Sequence, residues 1–114
     1  MELCLGTVQF GMDYGIKGQK QPKLPEAIEM LDFATQNGIT TIDTANAYGT
    51  AEDVIGTFLK KNTIKRDALF IVSKCYPNLL DQCTNKLYYS KIKDNLMNSL
   101  SRLHTDYLDS YLLH

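Results

Sequence analysis

Charge excess is almost missing from this sequence: 12 Lys and Arg stand against 13 Asp and Glu, a net charge of −1. No basic block or stripe breaks the balance, which argues against nucleic acid or an anionic membrane surface as a partner. Also missing is any apolar run near the roughly 20 residues that a membrane span needs. The opening residues, Met1-Glu2-Leu3-Cys4, lack the basic region and apolar stretch of a secretory leader. Cysteine is sparse: Cys4, Cys75 and Cys83 are odd in number and show no C-x-x-C spacing. Reduced thiols and a cytoplasmic setting are the expectation. His104 and His114 are not at metal-ligand spacing with any cysteine, so no metal site is expected.

What is there reads as one globular domain over residues 1–114. A hydrophobic fraction of 44% with 22% charged residues is far from the disordered class. The first strand is expected over Leu3 to Thr7, followed by a glycine-punctuated loop, Gly11 to Pro22. That loop is long for a βα connection. Pro25 suits the first turn of a helix, and Ala27, Ile28, Leu31 and Ala34 give it one buried face. Gly38 supplies the left-handed stop. A β-branched strand, Ile39 to Asp43, follows.

A second helix is expected from Thr50, with Asp53 placed as in a capping box and Ala51, Val54, Ile55, Phe58 and Leu59 on one face. Leu69 to Ser73 reads as a third strand, ending at Lys74. The connection Cys75 to Tyr88 leads to a third helix from about Ser90 to Leu103, capped by Ser90, with a stripe of Ile92, Leu96, Leu100 and Leu103. Tyr107 to Leu113 is the fourth strand, and His114 follows it. Alternating strands and helices imply parallel pairing through right-handed crossovers. The spacing fits either a (β/α)₈ barrel or a doubly wound sheet.

Three strands in succession end in an ionisable residue: Asp43, Lys74 and His114. In a parallel sheet all three emerge at the carboxyl end, where α/β active sites gather. Tyr48, one loop past Asp43, can lie over them. A phenol has an ordinary pKa of about 10 and is a poor acid at neutral pH, but a neighbouring ammonium favours the phenolate. Asp43 would pair with Lys74, and a neutral imidazole can orient a carbonyl oxygen. Together the four suit proton delivery to an oxygen gaining negative charge, which carbonyl reduction requires. Taken singly, Asp43, Lys74 and His114 have plainer readings: a turn cap, a strand-end lysine, a terminal histidine. A Schiff-base role for Lys74, as in an isomerase, would need it desolvated and unpaired, and Asp43 argues against that.

The run D-T-A-x-x-Y-G from Asp43 to Gly49, with Glu52 after it, resembles the signature of the aldo-keto reductases. So do Leu5-Gly6-Thr7 with Phe10-Gly11, Lys74 at the end of the third strand, and the closing Ser101-Arg102-Leu103, Thr105-Asp106-Tyr107-Leu108-Asp109 and Leu112-Leu113-His114. The resemblance covers the whole chain in order. It implies α/β architecture, namely the first half, β1 to β4, of a TIM (β/α)₈ barrel in an NADP(H)-dependent oxidoreductase acting on an aldehyde or ketone. By match, Tyr48 would be the general acid, Lys74 its cation, Asp43 the anchor of Lys74 and His114 the residue orienting the substrate. Thr7 would lie near the nicotinamide, and Asp43 would also touch its ribose. The family is about twice as long or more, and most of its cofactor pocket belongs to the second half of the barrel. A four-stranded half leaves two open edges and a bare inner face. The chain would then be part of a longer enzyme, a half-barrel that pairs with itself or another chain, or an inactive remnant; the resemblance favours the first.

Overall fold

The structure, a computed structural model, describes residues 2–114. Its elements are β1 (Cys4–Gly6), α1 (Val8–Gly11), α2 (Leu24–Gln36), β2 (Thr41–Asp43), α3 (Ala51–Lys60), a 3₁₀ turn (Arg66–Ala68), β3 (Phe70–Lys74), α4 (Asn85–Leu103) and β4 (Ser110–Leu112). The strands form one parallel sheet in the order β1-β2-β3-β4. That order separates the two candidate architectures. A doubly wound sheet reverses direction at a switch point, whereas this sheet advances one strand at a time, as the first half of a barrel does.

The alternation of side chains across the strands decides what packs where. Ile42 and Ile71, paired in register, are fully buried on the helix side. They meet Ala27, Leu31, Ile55, Phe58 and Leu103, all 0% exposed, in one core. Burial of a side chain such as Phe58 contributes about 1.5–3 kcal/mol. The opposite face carries Cys4, Phe70 and Leu112, all exposed, with Val72 half-buried. The bare inner face expected of a half-barrel is therefore present.

The apolar faces expected for α2 and α3 are the buried ones, and Gly38 (φ 84°) follows the end of α2 as expected. Several boundaries differ. The first strand is Cys4–Gly6 rather than Leu3 to Thr7, the second Thr41–Asp43 rather than Ile39 to Asp43, and the fourth Ser110–Leu112 rather than Tyr107 to Leu113. Strand pairing ends sooner than the apolar runs do. Val8–Gly11, where no helix is expected and where the expected loop begins at Gly11, form the short helix α1. The third helix begins at Asn85, not Ser90; the Ser90 hydroxyl donates to the Leu87 carbonyl from inside it.

Thr50 precedes α3 but makes no side-chain cap with Asp53. Its hydroxyl instead meets the Gly11 carbonyl at 3.5 Å and accepts from Gln21 Nε2 at 3.1 Å. At α2 it is the Lys23 N–H that finds a carboxylate, donating to Glu26 Oε2 at 3.1 Å. His104 lies just past the last turn of α4, in the left-handed conformation (φ 50°) that ends the helix. Among the described residues no helix is long and apolar enough to cross a membrane.

Candidate active site

Parallel pairing brings Asp43, at the end of β2, and Lys74, at the end of β3, to the same edge of the sheet. The chain beyond β2 keeps to the sheet for two more steps: Thr44 N–H donates to Val72 O at 2.9 Å and Asn46 N–H to Lys74 O at 3.0 Å. It then turns. Tyr48 N–H donates to Ala45 O, Ala51 N–H to Tyr48 O and Thr50 N–H to Gly11 O, each at 3.0 or 3.1 Å. Gly49 has a φ of 55°, and a Cβ on it would overlap the Gly11 carbonyl oxygen. A Cβ on Gly11 would in turn overlap the Tyr48 carbonyl oxygen. This backbone-to-backbone approach permits only glycine at both positions, and it fixes where the phenol starts.

Lys74 Nζ lies 2.7 and 2.8 Å from the two oxygens of Asp43, 3.0 Å from the Thr44 carbonyl and 3.4 Å from the Tyr48 hydroxyl oxygen. An ammonium has three protons and no lone pair. Lys74 therefore spends them on a carboxylate, a carbonyl and a phenol oxygen. Because the Tyr48 oxygen accepts from Lys74, its own O–H remains free to donate elsewhere. The ammonium also sits 5.0 Å from the Tyr48 ring centre. The amine is paired, which removes the condition for a Schiff-base role. The His114 ring stands edge-on to that of Tyr48, with centroids 5.8 Å apart and planes at 88°. Asp43, Tyr48, Lys74 and His114 are thus brought together.

Thr7 is placed beside them in a different way. It is fully buried, and both its N–H (3.1 Å) and its hydroxyl (3.0 Å) donate to the Asp43 carbonyl. It struts the backbone that carries the carboxylate. Cys4 lies on the same face of the sheet as Asp43; partial burial and the Asp43 carboxylate push its thiol upward, keeping it protonated. The sequence reading missed the Thr44 carbonyl, since backbone groups leave no residue signature. It also missed the support behind the site. Buried Glu52 accepts from Ser73 Oγ at 2.6 Å and from Arg102 Nε at 2.8 Å. That joins α3, α4 and the residue just before Lys74.

A single-wound parallel sheet with a polar cluster at its carboxyl edge defines a (β/α)-barrel type of site. Residues 2–114 match the model of the Aldo/keto reductase family, and the chain belongs to that family. It is 33% identical to the uncharacterized oxidoreductase YrpG of Bacillus subtilis, over 98% of this chain and 35% of that protein. It is 38% identical to an NAD/NADP-dependent indole-3-acetaldehyde reductase of Schizosaccharomyces pombe, over 76% of this chain and 27% of that protein. The structure superposes on PA4992, a putative aldo-keto reductase from Pseudomonas aeruginosa, with a TM-score of 0.76 and 36% identity, covering 97% of this chain and 41% of that one. The chain therefore spans about a third of the length of these relatives.

Proposed function

We propose that this chain supplies the proton-donating half of an NADP(H)-dependent reductase that converts a small aldehyde or ketone to an alcohol within a completed barrel. The observation that carries the reading is the position of the Lys74 ammonium, 3.4 Å from the Tyr48 oxygen while it grips Asp43. The Tyr48 O–H donates to the carbonyl oxygen of the substrate. As the carbonyl carbon is reduced, charge grows on that oxygen and the Tyr48 proton moves to it. Lys74 stabilises the negative charge left on the phenol oxygen. Asp43 and the Thr44 carbonyl hold Lys74 in place, and His114 orients the carbonyl from the side facing the Tyr48 ring.

The nicotinamide of the cofactor, when bound, supplies the hydride. The residues present fit its ribose end. The Asp43 side chain is 33% exposed, so the carboxylate keeps lone pairs for a ribose hydroxyl. Thr7 holds the backbone beneath it. Lys74, the cation of the cluster, is committed to Asp43, so it would not be a partner for the cofactor's phosphates. The nicotinamide requirement and the carbonyl substrate of the fission-yeast relative support this reading. Exchange of Tyr48 for Phe, which deletes the hydroxyl and keeps the ring, is the experiment that tests it.

A second reading is favoured by the exposed inner face, where Phe70 is 49% and Leu112 45% exposed, and by the open edges of β1 and β4. In it the half-barrel is a non-catalytic module that associates with itself or with another chain through those edges. The two readings differ in whether Tyr48 turns over substrate.

A further inference from the structure

Behind the cluster, on the helix side of the sheet, one side-chain oxygen accepts two hydrogen bonds. Asn95 Oδ1 on α4 takes the Tyr111 hydroxyl at 2.8 Å and the backbone N–H of Tyr76 at 3.0 Å. Tyr76 lies two residues past Lys74. Tyr111 lies three residues before His114. The pairing of β4 with β3 closes with Cys75 N–H donating to Leu112 O at 2.9 Å. Asn95 thus grips β4 and the segment that follows β3 where the ladder between them runs out.

We propose that Asn95 is a positioning residue for the reaction: acting through Tyr111 and the Tyr76 backbone, it sets His114 against the Tyr48–Lys74 pair. The catalytic consequence rests on the reductase reading above; the positioning itself does not. The chemistry of the two donors is selective. A backbone N–H can only donate, so residue 95 must present an oxygen to it. The Tyr111 hydroxyl is kept as a donor too: burial, with the Cys75 and Glu52 groups nearby, pushes it up to about 12. Two donors converging on one oxygen admit Asn or Asp and exclude Leu, which has nearly the same shape. A residue that only filled space would show the opposite order.

The test compares Asn95→Leu with Asn95→Asp in the 114-residue chain by NMR. The readout is the ring-to-ring nuclear Overhauser contact between Tyr48 and His114. The wild type and Asn95→Asp are expected to keep the contact, and Asn95→Leu to lose it while its amide spectrum stays dispersed. A contact that survives in Asn95→Leu overturns the proposal, as does one that Asp fails to restore. If Asn95→Leu does not fold, Tyr111→Phe is read in its place, since it removes one bond and keeps the ring. Loss of the contact there supports the proposal and retention overturns its route through Tyr111. Failure of the reductase reading shows separately, as unchanged turnover in Tyr48→Phe, and leaves this readout untouched.

Discussion

Lys74 holds both carboxylate oxygens of Asp43 and also reaches the hydroxyl oxygen of Tyr48. One amine therefore joins an anion to a phenol. With side-chain exposures of 16% for Lys74 and 33% for Asp43, the pair is partly shielded from water. Lys74→Met is expected to leave the Asp43 carboxylate half-buried and unpaired. The cost in stability should be about 1–3 kcal/mol, below that of a fully buried broken pair because water still reaches Asp43. Urea unfolding of the variant measures it. Unchanged stability would mean the pair is held by nothing but the strands around it.

Gly11 gives a second handle, through backbone alone. A methyl group there would overlap the Tyr48 carbonyl and the start of α3. Gly11→Ala should push the Tyr48 turn away from the end of α1. The expected loss is about 1–3 kcal/mol, the usual range for forced overpacking. Thermal unfolding reads the loss, and the Tyr48 ring signals in NMR should shift with it. A variant with wild-type stability would contradict the close approach.

Asp109 gives a pH-dependent prediction away from the site. Burial works against its charged form, but the Ile71 N–H and the Arg66 guanidinium, each 2.8 Å away, outweigh it and hold the carboxyl below the usual carboxylate range. A folded value below the unfolded one means that the unfolded state binds the proton more readily. The stabilisation is thus fully present above the ordinary Asp value of about 4 and drains away as pH falls through the folded value. Asp109→Asn should lose stability at neutral pH, and its deficit should shrink toward pH 3. Denaturation midpoints of the two proteins across that range check the trend. A constant deficit would contradict it.

The bare face and the two edge strands predict how the 114-residue chain behaves by itself in solution. Sedimentation is expected to show a dimer or larger species, because edges and apolar surface invite pairing. A well-behaved monomer would mean that Phe70 and Leu112 tolerate water.

The parts of this architecture that were legible in the sequence are those fixed by periodicity and by abrupt changes of residue class. The faces of α2 and α3 repeat at three and four residues, and β-branched runs stop at charged residues, so Asp43 and Lys74 stand out as strand ends. Strand order was not legible, since repeat spacing is the same in singly and doubly wound sheets. The short helix α1 has no room for periodicity and depends on Gly11 docking under Tyr48. Ser90 and Thr50 look like caps by local chemistry. Tertiary contacts overrule Thr50, and Asn85 to Tyr89, an exposed first turn with no buried stripe to mark it, extend α4 to the N-terminal side of Ser90. The Glu52–Ser73–Arg102 and Asn95–Tyr111 bonds join residues far apart in the chain, so no local pattern announces them.

Proton delivery in the proposed reaction depends on the hydroxyl of Tyr48. Its direct test is NADPH-dependent carbonyl reduction by Tyr48→Phe in the completed barrel proposed above, with NADPH affinity measured alongside. Turnover is expected to fall by about 10²–10⁴-fold, the usual worth of a positioned general acid, while NADPH binding stays at the wild-type level. Undiminished turnover in Tyr48→Phe would contradict it.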